Sequence, residues 1–372
     1  MSNMVKSAFR PTLSLVVLTR NRKRLLQRCL ESIYSQIGRG DPTGNPRPAA
    51  SPGQPGKKGA AGQAHADELP EILVVDDGST DGTNTLIRAW QERHPNLRCI
   101  PQAHCGIPAA RNIGLRNSTG QIIAFVADDY RLPTHYIRSV ADFFESHPEA
   151  RIVRFKIVPN GSSPASWINA FRYEANVRLA LRPELGQGVN GLLGRLRSAF
   201  RRLPATPETL TIHHRLEASG GAAFRREVFG EVGCFDERLK RAEDADFADR
   251  AREKNILIYH NPALEIVHEE SPSFWGAIRK NIQIGFYQAW LTLKREARRR
   301  GFSGPRRPRL GLILAELADL PLKLLSQARQ ADSFRDILLS LPFLLLFELS
   351  HVLGFGWGLL RYDPPVTSDG LK

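Results

Sequence analysis

Two adjacent aspartates, Asp128 and Asp129, follow the apolar run from Gln121 to Val126. Adjacent carboxylates repel each other, and a hard cation such as Mg²⁺ or Mn²⁺ relieves that repulsion. A metal held by one or two carboxylates and completed by substrate phosphates is a common form of nucleotide site. A second pair, Asp76 and Asp77, opens the turn Asp76-Asp-Gly-Ser-Thr-Asp-Gly82 after another apolar run. It can hydrogen-bond a ribose or a base, or simply cap the helix that follows. Arg111, near the start of a predicted helix, suits a phosphate at the positive helix end. Glu243 and Asp244 open a further helix and supply a candidate general base, or a plain acidic first turn. His268 follows Ile266 and Val267. It is a candidate third metal ligand, although a lone histidine there serves a core or rim equally well.

The elements that must position these residues alternate. Leu13 to Leu18 reads as a buried strand and ends at Thr19-Arg20-Asn21-Arg22, a polar turn that caps a helix over about 23–36. Glu71 to Val75 predicts a second strand and Thr83 to His94 a helix. Leu97 to Ile100 predicts a third strand, Pro108 to Gly114 opens a helix, and Gln121 to Val126 predicts a fourth strand. Strand–helix alternation is the signature of a parallel α/β sheet, whose ligands bind outside the carboxyl ends of the strands. A strand over 152–158 and a basic helical stretch with Arg195, Arg197, Arg201 and Arg202 follow. Then come a glycine- and alanine-rich segment over 217–224, a helix from Glu243 to about Lys254, and two short strands at 256–259 and 266–268.

Composition narrows the classes. The 372 residues are 42% hydrophobic and 24% charged, which excludes a disordered or fibrous chain. The formal net charge of +14 calls for an anionic partner: nucleic acid, an anionic membrane face or phosphorylated small molecules. Four cysteines without C-x-x-C spacing argue against a disulfide framework or zinc knuckle and fit reduced thiols in the cytoplasm. The first apolar run is too short for a signal-peptide core. Between 38 and 70, seven glycines and six prolines predict a flexible insertion that cannot bury enough apolar surface to offset its chain entropy.

The order of the pieces says more than any one. A strand and T-R-N-R is followed by a strand and D-D-G-S-T-D-G-T, then A-R-N-I-G-L and I-I-A-F-V-A-D-D. G-C-F-D-E-R-L, E-D-A-D and V-H complete the series. This series resembles the family 2 glycosyltransferases, over Leu13 to about Glu270. The resemblance implies a GT-A fold, a Rossmann-like sheet that binds a nucleotide-sugar donor, and an inverting transfer of one sugar to an acceptor hydroxyl. It implies Mg²⁺ or Mn²⁺ as cofactor. Thr19, Asn21, Asp77 and Asp76 match the nucleoside pocket. Arg111 matches a residue near the donor diphosphate, and Asp129 the metal-contacting last residue of D-x-D. Asp244 matches the catalytic base, with Glu243 beside it. His268 falls where some relatives make a further metal or diphosphate contact. One departure is Ala127, where relatives usually carry the first D-x-D carboxylate, so that this carboxylate is absent or Asp128, among the donor contacts, substitutes for it from a shifted position. The Gln-x-x-Arg-Trp signature of processive synthases is absent, which favours single addition. A UDP-sugar is the first expectation for the donor, and a glycan or lipid-linked molecule of the cell envelope for the acceptor. The alternatives are a nucleotidyltransferase on the same type of sheet and a basic polynucleotide-binding protein. The latter is disfavoured because no nucleic-acid motif accompanies the charge.

The chain thus divides into a catalytic region over 1–270 and a helical C-terminal region over 271–372. The latter carries Lys294, Arg295, Arg298, Arg299, Arg300, Arg306, Arg307 and Arg309 as a basic tract. The following 337–360 stretch is long enough to span a bilayer. Pro342 interrupts it, and Asp336, Ser340, Glu348 and His351 form a polar stripe. That stripe fits a helix lying in the interface or packed on a neighbour, with the basic tract drawn to anionic lipid heads at the cytoplasmic side of the membrane. Gly354 and Gly358, in a G-x-x-x-G arrangement, permit close helix packing. Because long surface insertions change loop-closure entropy only slowly with length, deleting residues 40–63 is expected to leave the thermal midpoint and donor hydrolysis nearly unchanged. A drop of several degrees in differential scanning calorimetry would show instead that the segment packs.

Overall fold

The computed structural model describes residues 12–37, 69–160, 209–213, 216, 219–269, 273–300, 309–328 and 334–362. The expected Gly/Pro-rich insertion (but for Leu69 and Pro70), the basic stretch with Arg195–Arg202, and Arg306 and Arg307 lie outside the described residues.

Strands β1 (Leu13–Thr19), β2 (Glu71–Asp76), β3 (Leu97–Pro101) and β4 (Ile122–Ala127) alternate with helices α1 (Lys23–Ile37), α2 (Thr83–Gln91) and α3 (Ile107–Asn117). The chain continues through β5 (Tyr130–Arg131), α4 (Tyr136–Ser146), β6 (Ile152–Pro159) and β7 (Thr211–His213). A 3₁₀ turn (Ser219–Gly221) leads into β8 (Ala222–Arg225), α5 (Glu227–Val232), α6 (Glu243–Glu253) and β9 (Ile258–His268). Among the described residues these strands form one nine-stranded sheet in the order β3-β2-β1-β4-β8-β6-β9-β5, with β7 also on β9.

The side-chain period of two sorts β1 between two cores. Leu15 and Val17 join α1 and α4 in one apolar cluster, while Val16 joins α3, α5 and α6 in the other. Strands covered on both faces read as continuous apolar runs, which is why β1, β2 and β4 were legible. Gly114 brings α3 against the sheet, since a Cβ there would collide with the Val16 side chain.

Two sequence expectations need correction. The sheet is mixed, not parallel throughout: β8 runs antiparallel to β4 and β6, and β5 and β7 antiparallel to β9. β8 enters the sheet from the 3₁₀ turn and not from a crossover helix, which leaves it free to pair antiparallel. The two short strands expected at 256–259 and 266–268 are one strand, β9. Its register against β6 shifts between Phe155 and Lys156, so the stretch around Pro262 bulges out of the ladder. A proline has no N–H to donate, and a bulge is where a sheet accommodates one.

The C-terminal helices α7 (Phe274–Arg300), α8 (Arg309–Ala328) and α9 (Phe334–Arg361) stack on one another and on α6. Lys294 and Arg298 of α7 both reach Asp246 of α6 at 2.8 Å, joined by Arg250 at 3.0 Å. Arg295 binds Asp249 at 2.5 Å, and Lys294 also binds Asp236 at 2.7 Å. Three residues of the expected lipid-binding tract, Lys294, Arg295 and Arg298, are therefore turned inward onto an acidic helix face. Burial by itself would raise the Asp246 carboxyl, but Lys294, Arg250 and Arg298 outweigh it and hold the group below its ordinary range. Alongside, α9 lies against α7 at backbone distance: a Cβ on Gly354 or Gly358 would strike the carbonyl of Ile282 or Phe286. Trp290 Nε1 donates to the Gly358 carbonyl at 3.1 Å.

Gly354→Val is expected to cost about 1–3 kcal/mol through overpacking, read as a lower thermal midpoint. Gly356→Ala, which faces only ordinary contact with Ile313, should be close to neutral. Asp246→Asn leaves three cations around a neutral amide and should destabilise by about 3–5 kcal/mol near pH 7. A depressed carboxyl contributes stability above its unfolded pKa, about 3.9, and loses it as the pH falls further. The gap between wild type and Asp246→Asn should therefore narrow below about pH 4 in a series of melts.

Candidate active site

The parallel register brings the carboxyl ends of three strands level: Thr19 pairs with Asp76, and Leu18 with Ala127. Asp128 and Asp129 follow directly, both buried. Thr19 Oγ1 donates to Asp128 Oδ2 at 2.8 Å. One guanidinium nitrogen of Arg22 bridges the pair, 3.1 Å from Asp128 Oδ1 and 2.8 Å from Asp129 Oδ2. His268, at the end of β9, places Nε2 3.2 Å from the same Asp129 oxygen. Its ring stands edge-on to Tyr130. The remaining oxygen, Asp129 Oδ1, is buried with no hydrogen-bond partner.

The two carboxylates are driven apart in acidity. Burial, helped by the neighbouring Asp129 charge and opposed by Arg22, pushes Asp128 up to about 6. Burial would raise Asp129 as well, but the hydrogen bond and charge of His268, with Arg22 and Lys280, bring it down to about 2. Asp129 is the member of the pair whose carboxyl is held below its ordinary range and the one with an unbonded oxygen.

The second loop is fixed from within. Asp77 accepts four hydrogen bonds: Gln102 Nε2 at 2.6 Å, His104 Nδ1 at 2.7 Å, Cys105 N at 2.7 Å and Gly106 N at 3.0 Å. These donors outweigh its burial and keep the carboxyl below the usual range. Asp76 Oδ1 accepts from Ser79 N at 3.0 Å. Asn21, at φ 52°, joins the first loop to the second: its N–H donates to Ser79 Oγ at 2.9 Å and its Oδ1 accepts from Thr80 N at 2.7 Å. Asp81 accepts from Lys23 N at 3.0 Å and Thr83 N at 3.1 Å, so one carboxylate serves the starts of both α1 and α2.

A second group surrounds the start of α6. Arg111 and Glu243 form a buried ion pair, with the guanidinium 5.9 Å from the centre of the Phe125 ring and 5.3 Å from that of Phe235. Arg111 thus meets α6, not an open face of the loops. Asn112 brackets Phe235, donating to its carbonyl at 2.9 Å and accepting from its N–H at 3.0 Å. The A-R-N segment of α3 therefore holds both the 233–237 loop and the helix that carries Asp244. Asp244 lies in the first turn of α6, partly exposed, and its Oδ1 accepts from Ala245 N at 2.8 Å. The residue before the helix, Ala242, is in the left-handed region at φ 67°, a strained conformation for a side chain with a Cβ. Lys240 Nζ donates to the Cys105 carbonyl, which ties this loop to the one wrapped around Asp77.

The structure therefore joins Thr19, Asp128, Asp129 and His268 directly, links Asn21 and Asp76 through the second loop, and sets Arg111 of α3 against the first turn of α6, which carries Glu243 and Asp244. Sequence reasoning missed Arg22, Gln102, His104 and Asp81. For Arg22 and Asp81 the signal was present, in T-R-N-R and D-G-S-T-D, but both read as plain turn residues.

A divalent cation fits this chemistry. Asp129 offers an unbonded buried oxygen, His268 a ring nitrogen and Asp128 a second carboxylate. Among the described residues no group of three or more His, Cys, Asp or Glu side chains is set to hold a metal ion by itself, so substrate oxygens or water would have to complete the coordination. Mg²⁺ sites commonly take one or two carboxylates and leave the other positions to water and phosphate.

Comparison with known proteins agrees with this layout. The family model described as "Glycosyl transferase family 2" matches residues 14–233. The uncharacterized glycosyltransferase YibD of Escherichia coli K12 is 42% identical over 67 residues, 18% of this chain and a fifth (20%) of that protein's length. The uncharacterized glycosyltransferase EpsJ of Bacillus subtilis is 24% identical over 295 residues, covering 75% of this chain and 76% of the relative. Among solved structures, the mannosyltransferase PcManGT of Pyrobaculum calidifontis, in complex with GDP-Man and Mn²⁺, superposes with a TM-score of 0.51 at 19% identity. It covers 94% of this chain and 88% of that one, and so shares the GT-A fold. With the family model matched over residues 14–233, more than half of its length, the chain belongs to glycosyltransferase family 2.

Proposed function

We propose that this glycosyltransferase moves one sugar, with inversion, from a nucleoside diphosphate sugar to an acceptor hydroxyl. The observation that carries the reading is the buried, unbonded oxygen of Asp129 beside His268 just after β4. The mannosyltransferase that shares the fold binds GDP-Man and Mn²⁺, which supports a nucleotide sugar and a divalent ion here, a UDP-sugar being our first choice of donor. Asp129, with His268 and Asp128, would hold Mg²⁺ or Mn²⁺. A metal there supplies Lewis-acid stabilisation of the charge that builds on the departing diphosphate.

The protein residues do the rest. Thr19 orients Asp128 by its hydrogen bond. Asn21, Asp76 and Asp77 shape the nucleoside pocket mainly by fixing its loops, since Asp77 is already filled by four donors. Asp244 takes the proton of the acceptor hydroxyl as that oxygen attacks the anomeric carbon. It sits in the first turn of α6, where an anionic side chain is stabilised by the helix dipole. Glu243, held by Arg111, sets the orientation of that turn.

The acceptor is read from the C-terminal helices. Leu310, Leu314 and Leu317 of α8, and Leu345, Leu346, Leu349, Leu353, Trp357 and Leu360 of α9, are exposed apolar residues. The segment Leu341–Arg361 is long and apolar enough to cross a membrane, but half of it is buried within the protein. A helix covered on one side and apolar on the other suits lying in the membrane interface. Membrane association at the cytoplasmic face, and a lipid-linked or cell-envelope glycan as acceptor, follow as part of this reading.

Asp244→Asn keeps shape but cannot accept a proton. The transfer rate should fall ~10²–10⁴-fold, roughly 3–5.5 kcal/mol of barrier, with donor affinity little changed. Transfer kinetics and calorimetric donor binding on one preparation check both. Retention of most of the rate would remove Asp244 from the mechanism. Loss of donor binding as well would make it a helix cap.

A further inference from the structure

Arg22 occupies an unusual position for a loop arginine. Its backbone is fixed at the entry of α1, where the Arg22 carbonyl accepts from Leu26 N at 2.9 Å. The preceding residue, Asn21, is pinned to Ser79 and Thr80. The side chain is 36% exposed and reaches inward over two carboxylates that are only 5–6% exposed, bridging them with one nitrogen. That bridging position between adjacent carboxylates is the one a hard cation would neutralise. Arg111, the arginine that the sequence motif put near the diphosphate, is committed to Glu243. Among the described residues, Arg22 is the cation that bridges Asp128 and Asp129 directly, with the charge of Lys280 also felt at Asp129.

We propose that Arg22 is a displaceable stand-in for the divalent cation, and that on displacement it becomes the guanidinium that binds the donor diphosphate. The proposal rests on the reading of Asp129 as a metal ligand. A divalent ion entering at Asp129 lies a few ångströms from the guanidinium, and like charges at that distance repel. Arg22 must leave, and its long side chain on a fixed backbone stays within reach of whatever phosphate completes the metal's coordination. A planar guanidinium grips such phosphate oxygens through two parallel hydrogen bonds. Metal and nucleotide then favour each other's binding, because each relieves the cost of moving Arg22, and that coupling is reciprocal. The thermodynamic signature is specific. Arg22 opposes the metal when no nucleotide is present and assists the metal–nucleotide pair when it is.

The test is Mn²⁺ binding by the full chain, measured by electron paramagnetic resonance of free Mn²⁺, with and without UDP or GDP. The proteins are wild type, Arg22→Gln and Arg22→Lys, each checked by thermal melting. For Arg22→Gln, Mn²⁺ affinity without nucleotide should rise roughly three- to tenfold, the scale of two partly exposed charge pairs removed. The enhancement of Mn²⁺ affinity by the nucleoside diphosphate should shrink in the same variant. Arg22→Lys should keep the competition but lose part of the enhancement, because an ammonium lacks the planar fork. Unchanged or weaker Mn²⁺ binding by Arg22→Gln without nucleotide overturns the proposal, since a merely structural Arg22 would weaken both measurements. If Arg22→Gln does not fold, an enhancement in Arg22→Lys equal to that of wild type overturns it. If wild type binds no Mn²⁺ with or without nucleotide, the metal reading itself fails and the Arg22 proposal with it, whereas Mn²⁺ binding that is insensitive to Arg22 removes the proposal alone.

Discussion

Two like charges side by side in a buried place must be neutralised, and Asp128 with Asp129 imposes that demand on everything near them. Thr19 answers it from β1, Arg22 from the loop into α1, and His268 from β9. Those partners come from two distant parts of the sequence, so the carboxylate pair also clamps the middle of the sheet to its far side. The Glu269 N–H donates to the Asp129 carbonyl at 2.7 Å and tightens the same junction. The clamp is incomplete by one oxygen, and that oxygen is where chemistry can enter. A pair of fully satisfied carboxylates would be a structural feature; this one keeps capacity in reserve.

The other half of the site depends on how α6 is held. On one side, Arg111 and Asn112 of α3 fix Glu243 and the loop at Phe235. On the other, Lys294, Arg295 and Arg298 of α7 grip Asp246 and Asp249. The helix that carries Asp244 is therefore a shared element, braced by the sheet domain and by the C-terminal helices together. Part of the +14 charge that composition assigns to an external anion is spent on this internal contact. Because α9 packs on α7 and α7 grips α6, the exposed apolar side chains of α9 and the proposed base stand two helices apart.

The central strands and the loops at their carboxyl ends were legible because burial on both faces and turn chemistry write themselves into adjacent residues. Thr19, Asp76 and Asp128 could be placed level from strand ends alone. What escaped was whatever depends on a partner far along the chain. Arg111 as an isolated cation at a helix start points to phosphate, and only the approach of Glu243, 132 positions later, turns it inward. Arg22 looked like part of a turn because its carboxylate partners lie 106 and 107 positions away. The basic tract read as a lipid-binding surface for the same reason: the acids of α6 that accept Lys294, Arg295 and Arg298 are not visible in its own composition. Sheet direction at β8 and the continuity of β9 across Pro262 are likewise set by pairing, which no local pattern encodes.

The fate of the nucleotide tests the central claim most directly. The full-length protein incubated with Mn²⁺ and a panel of UDP- and GDP-sugars should release nucleoside diphosphate, resolved by anion-exchange chromatography. Release of pyrophosphate, with the nucleoside monophosphate carried onto an acceptor, would contradict sugar transfer and assign the carboxylates of β4 to nucleotidyl transfer instead.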